Sequence, residues 1–341
     1  MNIKGQEVTK VWVMTLLLGM TQLAWGQKVE VVSMSTAKGI IILRGEFPSR
    51  GKLHSFGLEV SSDGETFVDA KAGPMRGLRF TDRMVQGSHE ADDTVLLVPV
   101  VGRFDFTPQG FLFEEEGTYY LRWDITFKDR HVGEMKIGQI VVVEPATNPD
   151  LEFLSRIGDR DFATEVLGLN PPENVTGDLL ALGLISEILQ YAEDDPGEGG
   201  RVRGKLAWAE AFWNLAKELP ESSYAAYAAF CAGRIYHGHL ARTLGREHIT
   251  PKAKKHTLYE KADEALRFAV DHGDPFLKPR ALCSLAYLRV CAAAWDEAER
   301  LLTQAEGSTH GQGIVESIVD EMRRDLAHIK EKRVPKERDP D

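Results

Sequence analysis

A helical stripe that repeats in the C-terminal half constrains the fold more than any other feature of the chain. Four positions recur 36 residues later, so that Tyr259, Ala262, Leu266 and Ala269 correspond to Trp295, Ala298, Leu302 and Ala305. At about 100° per residue, each set of four falls on one side of a helix. Alanine at two positions of each set leaves room for a neighbouring helix to approach closely. The repeat therefore predicts helical hairpins stacked on one another.

The segments around the stripe complete such hairpins. A partner helix precedes the second copy, with Ala281, Leu282, Leu285 and Ala286 as its apolar positions, and Pro275 marks the join between units. This arrangement resembles the tetratricopeptide repeat, a helix-turn-helix unit of about 34 residues with small residues at the helix contacts. The resemblance suggests units near 203–240, 224–275 and 279–312, the middle one stretched by an insert at 243–256. The glycine that the family has in its first helix is replaced here by Ala286.

The resemblance implies a concave helical face that receives a partner protein or peptide. Six residues on the first helices of the units are the candidates for partner binding: Tyr227, Arg234, Tyr236, His237, Tyr287 and Arg289. The alternative interpretation is that the tyrosines simply pack between hairpins. The sequence does not decide between the two.

The N-terminal half has a different periodicity. From Lys28 to Glu144, short β-rich runs alternate with turn residues, which predicts about seven antiparallel strands. The stretch from Glu115 to Tyr119, followed by alternating Leu121, Trp123 and Ile125, resembles the tyrosine corner of immunoglobulin-like domains. We therefore expect an immunoglobulin-like β-sandwich over residues 27–146, without the antibody disulfide, and an α-helical tetratricopeptide-like solenoid over 147–329.

The two ends of the chain carry their own signals. Lys4 and Lys10, an apolar run over 11–20 and small residues around Trp25 have the order of a cleavable secretory signal over residues 1–26. This predicts an exported protein, periplasmic or extracellular; a retained anchor or a buried first helix is the alternative. No later run reaches the roughly 18 to 20 apolar residues of a membrane span. The charged residues 330–341 are expected to be a disordered tail.

Charge argues against a nucleic-acid partner. The formal net charge is -11, and removing residues 1–26, which carry a net +1, leaves -12 on the mature chain. Neutralising phosphates needs clustered Lys and Arg, whereas the basic residues here are scattered among acidic ones.

The cysteines all lie in the helical half, at 231, 283 and 291. Cys283 and Cys291 are roughly 12 Å apart along one predicted helix, too far for a disulfide. A bridge from Cys231 to Cys283 is left open, and the preferred interpretation is three buried apolar side chains.

Other motifs that imitate functional sites lack essential parts. Residues 199–206 resemble a phosphate-binding loop but have no Ser or Thr after Lys205. His237 and His239 point to different sides of a helix, although a site that also uses His248 and His256 stays open. The acidic loop at 88–93 lacks the register of a calcium loop. We therefore predict no cofactor, no metal and no catalytic residue.

Two alternative functions remain. The aromatic residues Phe104, Phe106, Phe111 and Phe113 could bind a sugar or peptide, which would make the chain a carbohydrate-binding or adhesion protein; alternating aromatics in strands more often face the core. An enzyme site between the two halves is the other alternative. The preferred hypothesis is an exported, non-catalytic scaffold protein that binds its partner through the helical half.

Overall fold

The fold is that of a computed structural model. It describes residues 29–31, 36–47, 53–69, 94–100, 111–127, 130–134, 139–171, 173–175, 177–193, 205–245, 249–308 and 313–333. The expected signal peptide at 1–26 lies outside the described residues.

The strands of the N-terminal half form two antiparallel sheets. The first has the order β1 (Val29–Val31), β2 (Ile41–Phe47), β5 (Thr94–Val100). In the second, β4 (Val68–Asp69), β3 (Leu53–Ser61), β6 (Gly117–Phe127) and β7 (Arg130–Glu134) follow one another, and β8 (Gln139–Val143) also pairs with β6. The register places Tyr120 opposite Ile140 and Thr118 opposite Val142.

The predicted immunoglobulin-like β-sandwich is wrong. The described part of the chain is mostly helical, and its strands make two small sheets that meet at an edge, where β1 contacts β8 and Thr36 bridges Glu144. A sandwich needs two sheets that share a core between their inner faces. Instead, Ile40, just before β2, and Phe111, before β6, are buried in the same core as the helices. Alternation along the sequence identifies strands but does not specify which surface covers them.

The side-chain hydrogen bond that a tyrosine corner would make is present. The hydroxyl of Tyr119 donates to the carbonyl of Glu115 at 3.0 Å, and the ring packs against Phe113 with centroids 4.6 Å apart. Phe111 and Phe113 are both buried, so these two aromatics face the core.

The C-terminal half is helical from residue 148 onward. Its α-helices are α1 (Asn148–Ile157), α2 (Gly177–Glu193), α3 (Leu206–Glu218), α4 (Ala225–Leu244), α5 (Thr257–His272), α6 (Leu277–Cys291), α7 (Trp295–Gly307) and α8 (Gly313–Arg333), with a π-turn at Phe162–Val166 and a 3-10 turn at Pro251–Lys255. Helix α8 continues past Lys330 to Arg333, so the first residues of the expected tail are helical. None of the described helices is long and apolar enough to cross a membrane.

The helices stack in two rows, an arrangement consistent with a helical solenoid. Helices α2, α4, α6 and α8 contact one another in sequence and form the inner row. Helix α5 packs against both α4 and α6, and α7 packs against both α6 and α8, which makes α3, α5 and α7 the outer row. Inner helices are surrounded by neighbours, and accordingly almost every residue of α4 from Ala225 to Tyr236 is buried.

The alanine stripes lie where the repeat predicted. Ala262 and Ala298 are both fully buried, as are Ala269 and Ala305 two turns later. The outer helices therefore dock on the inner row through small residues, which is the packing expected from the repeat. All three cysteines are buried free thiols, as the preferred interpretation held.

Two sets of contacts fix the sheets to the helices. The hydroxyl of Tyr224, at the start of α4, donates to the carbonyl of Lys38, and the Lys38 ammonium lies 3.5 Å from the carboxylate of Asp178. Lys38 has a φ of 56°, a left-handed conformation that few non-glycine residues adopt. The turn at 36–40 is thus held against the helical core from two directions.

The segment that follows the predicted boundary between residues 146 and 147 contacts the helical stack. Thr147 caps α1, and the buried carboxylate of Asp150 accepts hydrogen bonds from both Ser222 and Ser223 in the turn before α4. The segment is a rigid joint between α1 and the stack.

Candidate functional site

All six predicted partner-binding residues lie on the inner-row helices α4 and α6, and they divide into two groups. Tyr227, Tyr236 and Arg289 are buried, whereas Arg234, His237 and Tyr287 are only partly buried. A buried side chain cannot reach a partner without rearrangement. The role of all six in partner binding stays a prediction, and the partly buried three are the ones with access to solvent.

Tyr227 belongs to a helix cap. Its hydroxyl donates to the Asp274 carboxylate at 2.7 Å, and the other carboxylate oxygen accepts from the backbone N–H groups of Phe276 and Leu277 at the start of α6. Burial raises the pKa of Asp274, although these hydrogen bonds act in the opposite direction. The pair fixes the first turn of α6 against α4.

Arg289 connects three helices. Its guanidinium donates to the Tyr259 hydroxyl at 2.6 Å and to Glu297 at 2.6 Å, and it also pairs with Asp263. Burial acts to raise the pKa of Glu297, but the hydrogen bond and charge of Arg289, with help from Lys254, hold it below its usual value. The network ties α5 and α7 to α6, which explains why an arginine lies in the interior.

Tyr236 lies in the contact between α4 and the outer row. The Lys261 ammonium lies 5.7 Å from the centroid of its ring and pairs with Glu210 of α3. Burial raises the pKa of the Tyr236 phenol well above its usual value. Tyr236 therefore packs between helices, as the alternative interpretation of the tyrosines allowed.

The partly buried residues lie on adjacent turns of α4 and α6. Tyr227, early in α4, contacts Asp274 just before α6, whereas His237, late in α4, contacts Cys291 at the end of α6. The two helices therefore run parallel. Arg234 lies one turn before His237, and Tyr287 lies one turn before Cys291, so Arg234 and Tyr287 are at the same level. We call Arg234, His237 and Tyr287 the inner-face site.

Arg234 borders this site on the side of α2. It donates to the carbonyl of Tyr191 at 2.8 Å, and its guanidinium lies 5.9 Å from the centroid of the Phe230 ring. These contacts fix the orientation of the guanidinium at the rim of the inner face.

His237 and Cys291 form the one close histidine–cysteine contact among the described residues, with 3.2 Å between Nε2 and Sγ. Burial, with the charge of Arg234 as a lesser cause, lowers the pKa of His237 to about 4. Burial raises the pKa of Cys291 to about 11. Both groups are neutral near pH 7, whereas a cysteine nucleophile acts as the thiolate. No pattern in the sequence indicates this contact, since the two residues are 54 positions apart.

A cavity of about 350 Å³ lies between the turn at 36–40 and the first two helices. It is lined by Lys38, Leu151, Leu154, Ser155, Gly158, Gly177 and Asp178. Gly158 is required there, because a Cβ would lie 2.4 Å from the Gly177 carbonyl oxygen. The ionisable side chains among these residues are Lys38 and Asp178, which pair with each other. The cavity lies between the two halves, where the sequence leaves an enzyme site open. Its ionisable lining residues are one ammonium and one carboxylate that already pair with each other.

The other sequence candidates are either structural or outside the described residues. His256 caps α5, since its Nδ1 accepts from the Leu258 N–H at 3.1 Å. Phe104, Phe106, His248 and the acidic loop at 88–93 lie outside the described residues, so the sugar-binding alternative stays a prediction. Within the described part of the chain, no group of three or more His, Cys, Asp or Glu side chains could hold a metal ion.

The chain has little similarity to known proteins that bears on its function. No family model matches the chain, and no curated protein matches it. Among solved structures, a β-1,2-glucanase from Parabacteroides distasonis aligns over 74% of this chain and 36% of the glucanase, with 12% identity and a TM-score of 0.19. The chain spans about a third of the length of that enzyme, and a likeness this weak carries no argument about fold or activity.

Proposed function

We propose that the chain is an exported, non-catalytic scaffold protein that binds a partner protein or peptide through the inner face of its helical stack. The observation that supports the proposal is that Arg234, His237 and Tyr287 are partly buried side chains at neighbouring levels of two parallel inner helices. Arginine and tyrosine are enriched among the residues that dominate binding energy at protein interfaces.

The rigidity of the stack supports the same proposal. Buried alanines on α5 and α7, and the Arg289 network between them, hold the inner helices in fixed positions. A binding surface on rigid elements loses little conformational freedom when its partner docks. The resemblance to tetratricopeptide repeats implies the same use of such a surface.

The electrostatics of the His237–Cys291 contact do not mark it as a nucleophilic site. A neutral thiol beside a neutral imidazole is poorly suited to nucleophilic attack. Export rests on the sequence of residues 1–26 alone.

Affinity capture with matched variants tests the proposal. The full chain would be used as bait in extracts of its source organism, beside the double variant Arg234→Gln/Tyr287→Leu, with bound proteins identified by mass spectrometry. Leucine keeps the packing that Tyr287 makes with the apolar cluster that contains Ala286, Ala298 and Leu302. We expect a protein that wild type captures to be reduced by at least about tenfold with the double variant, since two such contacts each contribute more than about 1 kcal/mol.

Arg156→Gln is the matched control, because Arg156 is an exposed arginine that also donates to another residue, Glu218, at 2.9 Å. The control should capture the protein as wild type does. Equal capture by all three chains, with unchanged thermal unfolding of the double variant, would contradict binding through the inner face.

A further inference from the structure

The outer face of the second sheet presents large apolar side chains to solvent. Ile140 and Val142 on β8 are 59% and 63% exposed, while Val141 and Val143 between and after them are each 2% exposed. The exposure is therefore a property of one face and not of a frayed strand. Antiparallel sheets usually place polar residues on a solvated face.

Residues on the paired strand extend this patch. Thr118 and Tyr120 of β6 lie directly opposite Val142 and Ile140. The next residue on this face of β6, Arg122, pairs with Glu59 and stacks over Phe67 at 4.5 Å from the ring centroid. We call Thr118, Tyr120, Ile140 and Val142, with Phe67 at their margin, the outer-face patch.

Carboxylates border the patch at the end where β6 begins and β8 ends, on both sides of β6. Glu116 and Glu144 follow the end near Val142, since Gly117 pairs with Val143, and Glu114 and Glu115 are exposed beside them. At the same end, on the β3 side of β6, Asp63 and Glu65 flank Gly64, which lies against the Tyr120 ring. Hydrogen bonds from the backbone N–H of Thr66, from Ser61 and from the Glu65 N–H lower the pKa of Asp63, so it stays ionised.

Charge limits what can cover such a surface. A second copy of this chain would bring its own acidic border against the first, and an anionic lipid surface would meet the same repulsion. A partner with apolar side chains between lysines or arginines fits both the centre and the border.

We propose that the outer-face patch docks a second partner protein, through a segment whose apolar side chains are flanked by lysine or arginine. This surface is separate from the inner face of the helical stack. The chain would then hold two partners at once, one on each half.

Peptide binding to the full chain tests the proposal. Two fluorescent peptides would share a centre of alternating isoleucine, valine and threonine, one with lysines at both ends and the other with glutamates. We expect the lysine peptide to bind, and to bind at least about tenfold more weakly at about 300 mM than at about 20 mM salt because exposed charges are screened. The glutamate peptide should bind at least about tenfold more weakly than the lysine peptide at low salt.

Variants assign the binding to the patch. Ile140→Thr/Val142→Thr keeps β-branched residues in the strand and should reduce binding of the lysine peptide at least about tenfold. Val68→Thr is the matched control, since Val68 is 55% exposed at the far edge of the same sheet. This variant should bind the lysine peptide as wild type does. Glu114→Gln/Glu115→Gln/Glu116→Gln should weaken the lysine peptide and leave the glutamate peptide unweakened.

Several outcomes would overturn the proposal. The proposal fails if wild type does not bind the lysine peptide, or if Ile140→Thr/Val142→Thr binds that peptide as wild type does and unfolds as wild type does. It also fails if wild type binds both peptides equally. Wild-type self-association in sedimentation, or binding to vesicles of phosphatidylglycerol, that is lost in the same double variant would assign the patch to a second copy or to lipid instead.

Discussion

The surroundings of His237 differ from those of an ordinary surface side chain. Its ring contacts the Cys291 thiol from α6, and Arg234 on its own helix adds a positive charge nearby. Both the burial and the arginine disfavour the imidazolium. The imidazole of His237 is therefore neutral in the folded state near pH 7.

This predicts a pH dependence of stability. The folded pKa of His237, about 4, is below the ordinary value of 6.5, so between these values the unfolded chain binds a proton that the folded chain does not. Stability is lost as pH falls from 6.5 towards 4. We expect this group to lower the free energy of unfolding by about 2 kcal/mol from pH 7 to pH 5, measured by urea unfolding.

The variant His237→Asn should lack the part of the decrease in the free energy of unfolding, from pH 7 to pH 5, that His237 causes. His272→Gln, at an exposed histidine stacked on Phe268, should leave it unchanged. The same pH dependence in wild type and His237→Asn would mean that His237 titrates normally.

At the scale of elements, α4 and α5 approach each other through a glycine. A Cβ on Gly233 would lie 2.6 Å from Cγ of Leu266, a fully buried residue of the α5 stripe. Gly233 therefore provides space on the inner helix, just as the alanines do on the outer ones.

Gly233→Ala should destabilise the protein although alanine is the better helix former. The gain in helix propensity is about 1 kcal/mol. Overpacking against a side chain that cannot move away costs about 1–3 kcal/mol. We expect a net loss of up to about 2 kcal/mol in chemical unfolding. Gly307→Ala is the control, because nothing lies within 4 Å of the added Cβ at the end of α7, and it should be neutral or slightly stabilising. Stabilisation by Gly233→Ala would show that α4 and α5 are not in close contact.

The stripes of α5 and α7 were predictable because an outer helix has one buried side, and a period of 3.6 residues reveals it. The inner helices give no such signal. Almost all of α6 is buried, so its sequence does not show that Arg289 points inward to Asp263 and Glu297 while Tyr287 remains partly exposed. The strands were likewise predictable from alternation, but the burial of Ile40 and Phe111 against helices depends on contacts far apart in sequence.

At the scale of the whole molecule, the described residues form a helical stack with two small sheets fixed to one end. The core that contains Phe153 and Tyr224 also contains Ile40 and Phe111, so the sheets and helices share one apolar interior. The rigid joint at Asp150 adds to this connection. The two proposed docking surfaces therefore have a fixed relation, as a scaffold requires.

Site-specific photocrosslinking in the source organism tests the central claim most directly. Benzoylphenylalanine would replace Tyr287 on the inner face or Arg300 on the exposed side of α7, in the full chain, and adducts would be identified by mass spectrometry. We predict a partner adduct of defined mass from position 287 and none from position 300. The same adduct from position 300, with none from position 287, would contradict partner binding through the inner face of the stack.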